Sequence, residues 1–342
     1  MNKEIAVGVV GCGQWGPNHV RNFSALEGVR VTHVADRRPD RLKHVRGLYP
    51  WIVGTTEAEE VIDRDDVDVV VVATPSGTHY DLVRRALEGG KDVLCEKPLT
   101  LEAKTARELA QLARARKRVL MVGHVFLFNP GVAKLKEYVD SGELGRIYYA
   151  HSARTNLGPV RSDANVAWDL ASHDVSIFNH LLGARPTEVS ARGEVYLQKA
   201  VADVAFLSLV YPRKVLVNIH VSWLDPRKVR RTTVVGDRRM AVWDDMDPAE
   251  PIRLYDKRIE KKEVFYDSFG EFQMLARDGD VLIPKIPSAE PLRAEAEHMI
   301  DCVRRRARPI ADGATGADVA AVLEAADTSL TKGGAPAKIR WR

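Results

Sequence analysis

The chain begins with a short apolar run at residues 5–10 (Ile-Ala-Val-Gly-Val-Val), then closely spaced glycines, then a helical pattern to about residue 27. A second run at 30–35 ends at Asp36. Val67–Thr74 is a nearly unbroken β-branched stretch, as expected of a strand buried on both faces. Residues 79–89 predict a helix, 92–95 a strand, 101–116 a helix and 118–123 a strand. Strands alternating with helical segments imply right-handed crossovers and a doubly wound parallel α/β sheet.

The rhythm changes after residue 123. A helix is expected over 129–141 and another over 170–182. Between and after them lie strand-like runs at 147–154, 188–196, 204–211, 214–221, 231–235 and 240–244. Several follow one another without helices, so hairpins and a largely antiparallel α+β sheet are expected. Residues 277–291 read as a loop, and 291–306 and 316–332 as helices. The domains this predicts are 1–123 and 124–342, with the C-terminal helices able to pack back on the first.

Composition narrows the classes. With 342 residues, two domains are the default. A net charge of +4 is too small to argue for nucleic acid, and the basic runs 227–231 and 304–306 read as solvated faces. Cys12, Cys95 and Cys302 share no CxxC spacing, so neither a disulfide framework nor a metal site is expected. The start at Met-Asn-Lys-Glu shows no leader pattern, and no apolar stretch is long enough for a bilayer. A cytoplasmic protein that binds neither membrane nor nucleic acid is the expectation.

Gly11-Cys12-Gly13-Gln14-Trp15-Gly16 matches G-x-G-x-x-G between a strand and a helix, and Asp36 ends the next strand. Together these are the parts of a dinucleotide site: a tight turn, close backbone approach to the pyrophosphate, a helix N-terminus, and an acid for the ribose. Asp36 favours NAD because it would repel a 2′-phosphate, while Arg37 and Arg38 leave NADP as the alternative. Ala73-Thr74-Pro75-Ser76 ends another strand and should line the nicotinamide half, or else be an ordinary turn with Ser76 or Thr78 capping the next helix. Candidate cofactor contacts are Gly11, Gly13, Gln14, Trp15, Gly16, Asp36, Arg37, Thr74, Pro75, His79, Glu96, Lys97 and Asn129.

Lys97 follows the strand 92–95 and precedes Pro98, which puts it at the ligand edge of the sheet. Asp169 and His173 are four apart and would share a helix face. A lysine, an aspartate and a histidine around one carbon suit alcohol–carbonyl interconversion. Arg154, Asn156, Arg161 and Asn165 precede that helix; they form either a polar rim for an anionic sugar donor or a solvated loop.

These residues carry a family resemblance. The glycine loop, Ala73-Thr74-Pro75, Glu96-Lys97-Pro98, Gly123-His124 before Asn129-Pro130, and Asp169-x-x-x-His173 resemble the Gfo/Idh/MocA oxidoreductases. The resemblance implies a Rossmann domain and a C-terminal sheet domain that often forms the interface of a homodimer or homotetramer. It also implies Lys97 as a catalytic group, His173 as acid/base and Asp169 as its partner or a substrate contact. Residues 15–23 and 154–170 look like the branch acting on nucleotide-linked sugars, such as UDP-N-acetylglucosamine 3-dehydrogenases. Substrate contacts would then be Lys97, Arg154, Asn156, Arg161, Asn165, Asp169 and His173. His19 departs from that branch, where an apolar residue is expected, and Ala171-Ser172 replaces Ala-Pro. Alternatives are an inositol- or glucose-type polyol dehydrogenase, an NADPH-dependent deoxysugar 3-ketoreductase, and a non-catalytic NAD sensor or scaffold.

Overall fold

The computed structural model describes residues 4–161, 164–199, 201–264 and 271–341. Residues 1–3, on which the expectation about a leader partly rests, lie outside the described residues, as do Ser162 and Asp163 of the 154–170 stretch. Two compact units make up the chain: residues 1–129 with 289–324 and 341–342, and residues 130–288 with 325–340.

The first unit contains β1 (Ile5–Val10), α1 (Gly16–Ser24), β2 (Val29–Ala35), α2 (Pro39–Leu48), β3 (Val53–Thr55), α3 (Glu59–Ile62), β4 (Val69–Val72), α4 (His79–Glu88), β5 (Asp92–Glu96), α5 (Ala103–Ala115) and β6 (Leu120–Gly123). The strands form one sheet in the order β3-β2-β1-β4-β5-β6, with every pairing parallel. All four valines of β4 are buried, which explains why that run lacks alternation. The order reverses between β1 and β4, and open α/β sheets bind ligands at such a crevice. The pattern of apolar positions did not announce α2, β3 or α3. Only Leu42 and Val45 of α2 are buried, so its apolar stripe is thin.

The second unit contains α6 (Pro130–Asp140), β7 (Ile147–Leu157), α7 (Ser172–Leu182), β8 (Glu188–Glu194), β9 (Val204–Val210), β10 (Leu216–Ser222), β11 (Leu224–Gly236), β12 (Met240–Asp244), β13 (Ile252–Tyr255), β14 (Arg258–Val264), β15 (Glu271–Arg277) and β16 (Val281–Leu282). Later in the chain come α8 (Pro291–Arg305), α9 (Gly313–Thr331) and β17 (Ala337–Lys338). Nine strands form one sheet in the order β16-β13-β12-β11-β7-β10-β9-β8-β17. It is antiparallel except at its centre, where β7 and β10 run parallel with Tyr149 opposite Leu216. Along β9, Ala205, Leu207 and Leu209 are buried while Phe206 points out at 55% exposure. Phe206 stacks on His220 across the strands at 4.4 Å. The hairpin β14–β15 was not anticipated, because its first strand, Arg-Ile-Glu-Lys-Lys-Glu-Val, is mostly charged.

Candidate active site

The glycine loop fits a dinucleotide on steric grounds. Gly11 has φ +96°, and a Cβ there would lie 2.5 Å from the Ala73 carbonyl oxygen. A Cβ on Gly16 would lie 1.9 Å from Gly11 O, so that contact between helix and loop needs glycine. Around Gly13 a Cβ would meet only the Arg41 guanidinium, at 3.4 Å. The start of α1 has Pro17 in its first turn and no side-chain cap, so backbone donors remain for an anion. Gln14 and Trp15 are exposed beside it.

Asp36 is 9% exposed and braces this loop. Its Oδ2 accepts the Cys12 N–H at 2.7 Å and its Oδ1 the Arg38 N–H at 2.9 Å. Burial, with Asp36 beside it, pushes the Cys12 thiol up to about 12, so the loop cysteine is inert. Arg37 is exposed and Arg38 pairs with Asp40 at 2.7 Å. Arg41, which the sequence reading missed, faces Asp36 at 3.5 Å from α2.

His79 corrects an expectation. It is 1% exposed, with Nδ1 2.8 Å from Pro98 O and Nε2 2.9 Å from Thr74 O. Its ring ties two strand ends together, and both ring nitrogens are taken by backbone carbonyls. Neither Ser76 nor Thr78 caps α4 through its side chain; the Thr78 hydroxyl instead lies 2.8 Å from Thr74 Oγ1. Asn129 is 9% exposed and ends the turn 125–128.

Lys97 leaves β5 half-buried, followed by a cis peptide to Pro98. Glu96 before it accepts the Lys97 backbone N–H at 3.3 Å through Oε2 and faces His19 Nε2 at 2.9 Å through Oε1. The carboxylate is thus held by the protein's own donors. Burial alone pushes Glu96 up; the His19 hydrogen bond and the charges of His19 and Lys97 outweigh it and hold the carboxyl below its usual range. A Cβ on Gly123 would sit 3.1 Å from Glu96 Oε2, so glycine leaves room for this carboxylate. His124 is buried, and burial with the Lys97 charge pushes it down to about 4.

In the second unit the predicted helix starts as a π turn over Ala167–Ala171 before α7 begins. π turns recur at functional sites. Asp169 and His173 are half-buried about one turn apart. The Asp169 carboxylate accepts Trp223 Nε1–H at 3.1 Å and lies 3.5 Å from Arg161 Nη1. Trp223, which stands between β10 and β11, was not anticipated, since nothing in its spacing marks this role.

Two expected substrate contacts are corrected. Arg154 is 3% exposed, and its guanidinium is bound by Asp174 at 2.7 and 3.3 Å. A buried guanidinium paired with a carboxylate is costly to separate from it. Asn165 caps the π turn: its Oδ1 accepts the N–H groups of Ala167 and Trp168, both at 3.1 Å, and its Nδ2 donates to Asp327 at 2.8 Å. Asn156 donates to the Gly158 carbonyl. Arg161 remains a third exposed. Among the described residues no cluster of His, Cys, Asp and Glu could hold a metal ion.

Comparisons with known proteins agree with this layout. Residues 5–124 match the Gfo/Idh/MocA oxidoreductase family, NAD-binding Rossmann fold, and residues 132–242 match the Gfo/Idh/MocA C-terminal domain. An inositol 2-dehydrogenase of Rhizobium meliloti (strain 1021) is 30% identical over 58% of this chain and 61% of its own length. That of Mycolicibacterium gilvum (strain PYR-GCK) is 31% identical over 70% of this chain and 71% of its own. The first curated relatives are thus matched over about three fifths of their length. The solved UDP-N-acetylglucosamine 3-dehydrogenase GnnA from Acidithiobacillus ferrooxidans superposes with TM-score 0.80 at 22% identity, over 97% of this chain and 99% of that one. That likeness is one of fold.

Proposed function

The chain belongs to the Gfo/Idh/MocA oxidoreductase family, and from that premise we propose that it is an NAD-dependent dehydrogenase of a ring secondary alcohol, a cyclitol or sugar. The observation that carries the reading is Lys97: it stands at the carboxyl end of β5, two strands from the glycine loop, in the sheet that fits a dinucleotide. When bound, the nicotinamide accepts or returns the hydride. The residues that would hold the cofactor are the backbone of Gly11–Gly16, Asp36 with Arg41, and the Thr74–Pro75 strand end. In this reading Lys97 hydrogen-bonds the reacting hydroxyl and stabilises the alkoxide, His173 takes its proton, and Asp169 is His173's partner.

Two observations favour an uncharged ring. Arg154 is occupied by Asp174, and curated relatives are named inositol dehydrogenases. The second reading is the nucleotide-linked sugar, possible through Arg161, which stays accessible, and in keeping with the fold of GnnA. A homo-oligomer and a cytoplasmic setting belong to the same reading. The exposed Tyr149, Phe206 and Leu216 on the nine-stranded sheet and three buried free cysteines support them. No helix among the described residues is long and apolar enough to cross a membrane.

The test is NADH formation, read by absorbance, with inositols, glucose, UDP-N-acetylglucosamine and dTDP-glucose. Turnover of an unphosphorylated ring with NAD is expected. Turnover of the UDP-sugar alone establishes the second reading. Tight NAD binding without turnover on any ring makes the chain a sensor.

A further inference from the structure

Within the first unit, the amino-terminal edge of the six-stranded sheet carries a cavity of about 560 Å³. It lies at the starts of β5 and β6, where Val93 stands opposite Leu120, and so at the other end of these strands from Lys97. Its walls are the last turns of α5, the start of β6 and the segment 306–314 that leads into α9. Cavities of this size take small organic ligands.

The floor is apolar and fixed. Ala110 and Ala113 of α5, with Val119 and Leu120 at the start of β6, are all buried. The segment 306–314 is tied to β6 by Val122 N–H, which donates to Ala311 O at 2.7 Å. A Cβ on Gly313 would lie 2.7 Å from Leu120 Cδ2, so the segment presses on that floor. Asp92 locks the pieces together. It is 1% exposed, accepts Val119 N–H at 2.8 Å, and accepts Arg306 Nη1 at 2.8 and 2.9 Å.

The rim is cationic. Arg114, Lys117, Arg118, Arg306 and Arg308 line the cavity against one carboxylate, Asp312. Arg308 is taken by Asp312 at 2.5 Å, and Arg306 by Asp92. The other three are not so engaged. Arg114 and Lys117 are exposed and pair with no carboxylate among the described residues. Arg118 Nε is buried and has no hydrogen-bond partner among the described residues. A buried donor without an acceptor costs free energy that a bound oxygen would recover. Lys117 and Arg306, each at φ 54°, hold left-handed positions at helix ends, where glycine is the ordinary choice. Both positions carry a cation that lines the cavity.

We propose that this cavity binds a phosphorylated small molecule with an apolar body. The body lies on the floor of Ala110, Ala113 and Leu120, and the phosphate is held by Arg118, Arg114 and Lys117. Three cations without a carboxylate suit a doubly charged group better than a singly charged one, and guanidinium forks match phosphate oxygens. The dinucleotide crevice opens at the carboxyl ends of the same strands, so this is a second site. It stands whatever ring the crevice turns over.

The test is isothermal titration calorimetry of the full chain with phenyl phosphate, with and without saturating NAD, at about pH 8, where the phosphate is a dianion. One ligand per chain is expected, with a Kd of about 0.1–1 mM. NAD should change that Kd by less than about twofold, since the two ligands occupy opposite edges of the sheet. Inorganic phosphate and benzoate should each bind at least about tenfold more weakly, one lacking the apolar body and the other the second charge. Arg118→Gln should raise the Kd for phenyl phosphate about tenfold. Lys117→Gly should raise it about fivefold, and this variant keeps the fold because glycine suits φ 54°. An unchanged Kd in both variants overturns the proposal, as does binding that saturating NAD abolishes. Inorganic phosphate binding as tightly as phenyl phosphate overturns the apolar part of the site, and benzoate binding as tightly overturns the choice of phosphate.

Discussion

The glycine loop of the first unit and the polar approach to α7 in the second teach opposite lessons about chemistry-bearing residues. In the loop, the groups that matter are backbone N–H groups and missing side chains, and these are set by a six-residue stretch. Gly11, Gly13 and Gly16 stand as their spacing implies, because the steric limits act between near neighbours and one adjacent strand end. In the approach to α7, the groups that matter are long side chains, and what each does depends on what packs around it. Arg154 and Asn165 look free in sequence and are bound inside the unit by Asp174, Asp327 and the π turn.

The sharpest way to break this contrast is at the strand end that faces the cofactor seat. If Lys97 has the role proposed above, Lys97→Ala should lower kcat by about a thousandfold or more, through loss of a hydroxyl contact and of the cation that stabilises the alkoxide, with the Kd for NAD changed little. Stopped-flow single turnovers alongside NAD fluorescence titration separate the two; near-normal turnover removes Lys97 from the chemistry.

Arg154→Ala tests the other half of the contrast. Breaking a buried pair leaves Asp174 unpaired, and the loss should be about 3–5 kcal/mol in stability by urea denaturation. A folded, stable variant with a KM raised only for nucleotide-linked sugars would return Arg154 to the substrate rim.

His124 gives a smaller, pH-dependent effect within the first unit. Its folded pKa of about 4 lies below its ordinary value, so the stability it contributes is full above about pH 6.5 and is lost as pH falls towards 4. Between pH 7 and pH 4.5 the wild type should lose up to about 2–3 kcal/mol that His124→Phe retains. Parallel unfolding curves for the two proteins across that range would show the imidazole to be protonated inside.

The smallest effect is expected at Arg161. It is partly exposed, so Arg161→Ala should change KM for an inositol by less than about threefold and for a UDP-sugar by about tenfold if a phosphate lies there. Equal changes on both substrates would leave the nucleotide-linked reading without its cation.

Much of the fold was legible because apolar periodicity follows burial directly. The valine run of β4, the strand 92–96 and the helix 103–115 lie where their patterns place them. Of the pieces that escaped, α2 and the first strand of the β14–β15 hairpin are rich in charge, and β3, Val-Gly-Thr, is too short to show a period, so their patterns carry little signal. Of the candidate site, the loop, Asp36 and Lys97 are marked as candidates by spacing alone. That His79, Arg154 and Asn165 are engaged by the protein's own groups, and that Arg41, His19 and Trp223 are partners of Asp36, Glu96 and Asp169, did not show, because each meets its neighbours across elements distant in sequence.

By itself the sequence determined most of the order of strands and helices, the glycine turn and the lysine at the end of β5, because all of these depend on local sterics and on which residues avoid water. Only the tertiary structure decided which polar side chains remain available to a ligand. A guanidinium or a carboxyl is available only if nothing nearer has claimed it, and for Arg154 and Glu96 the nearest groups are the protein's own.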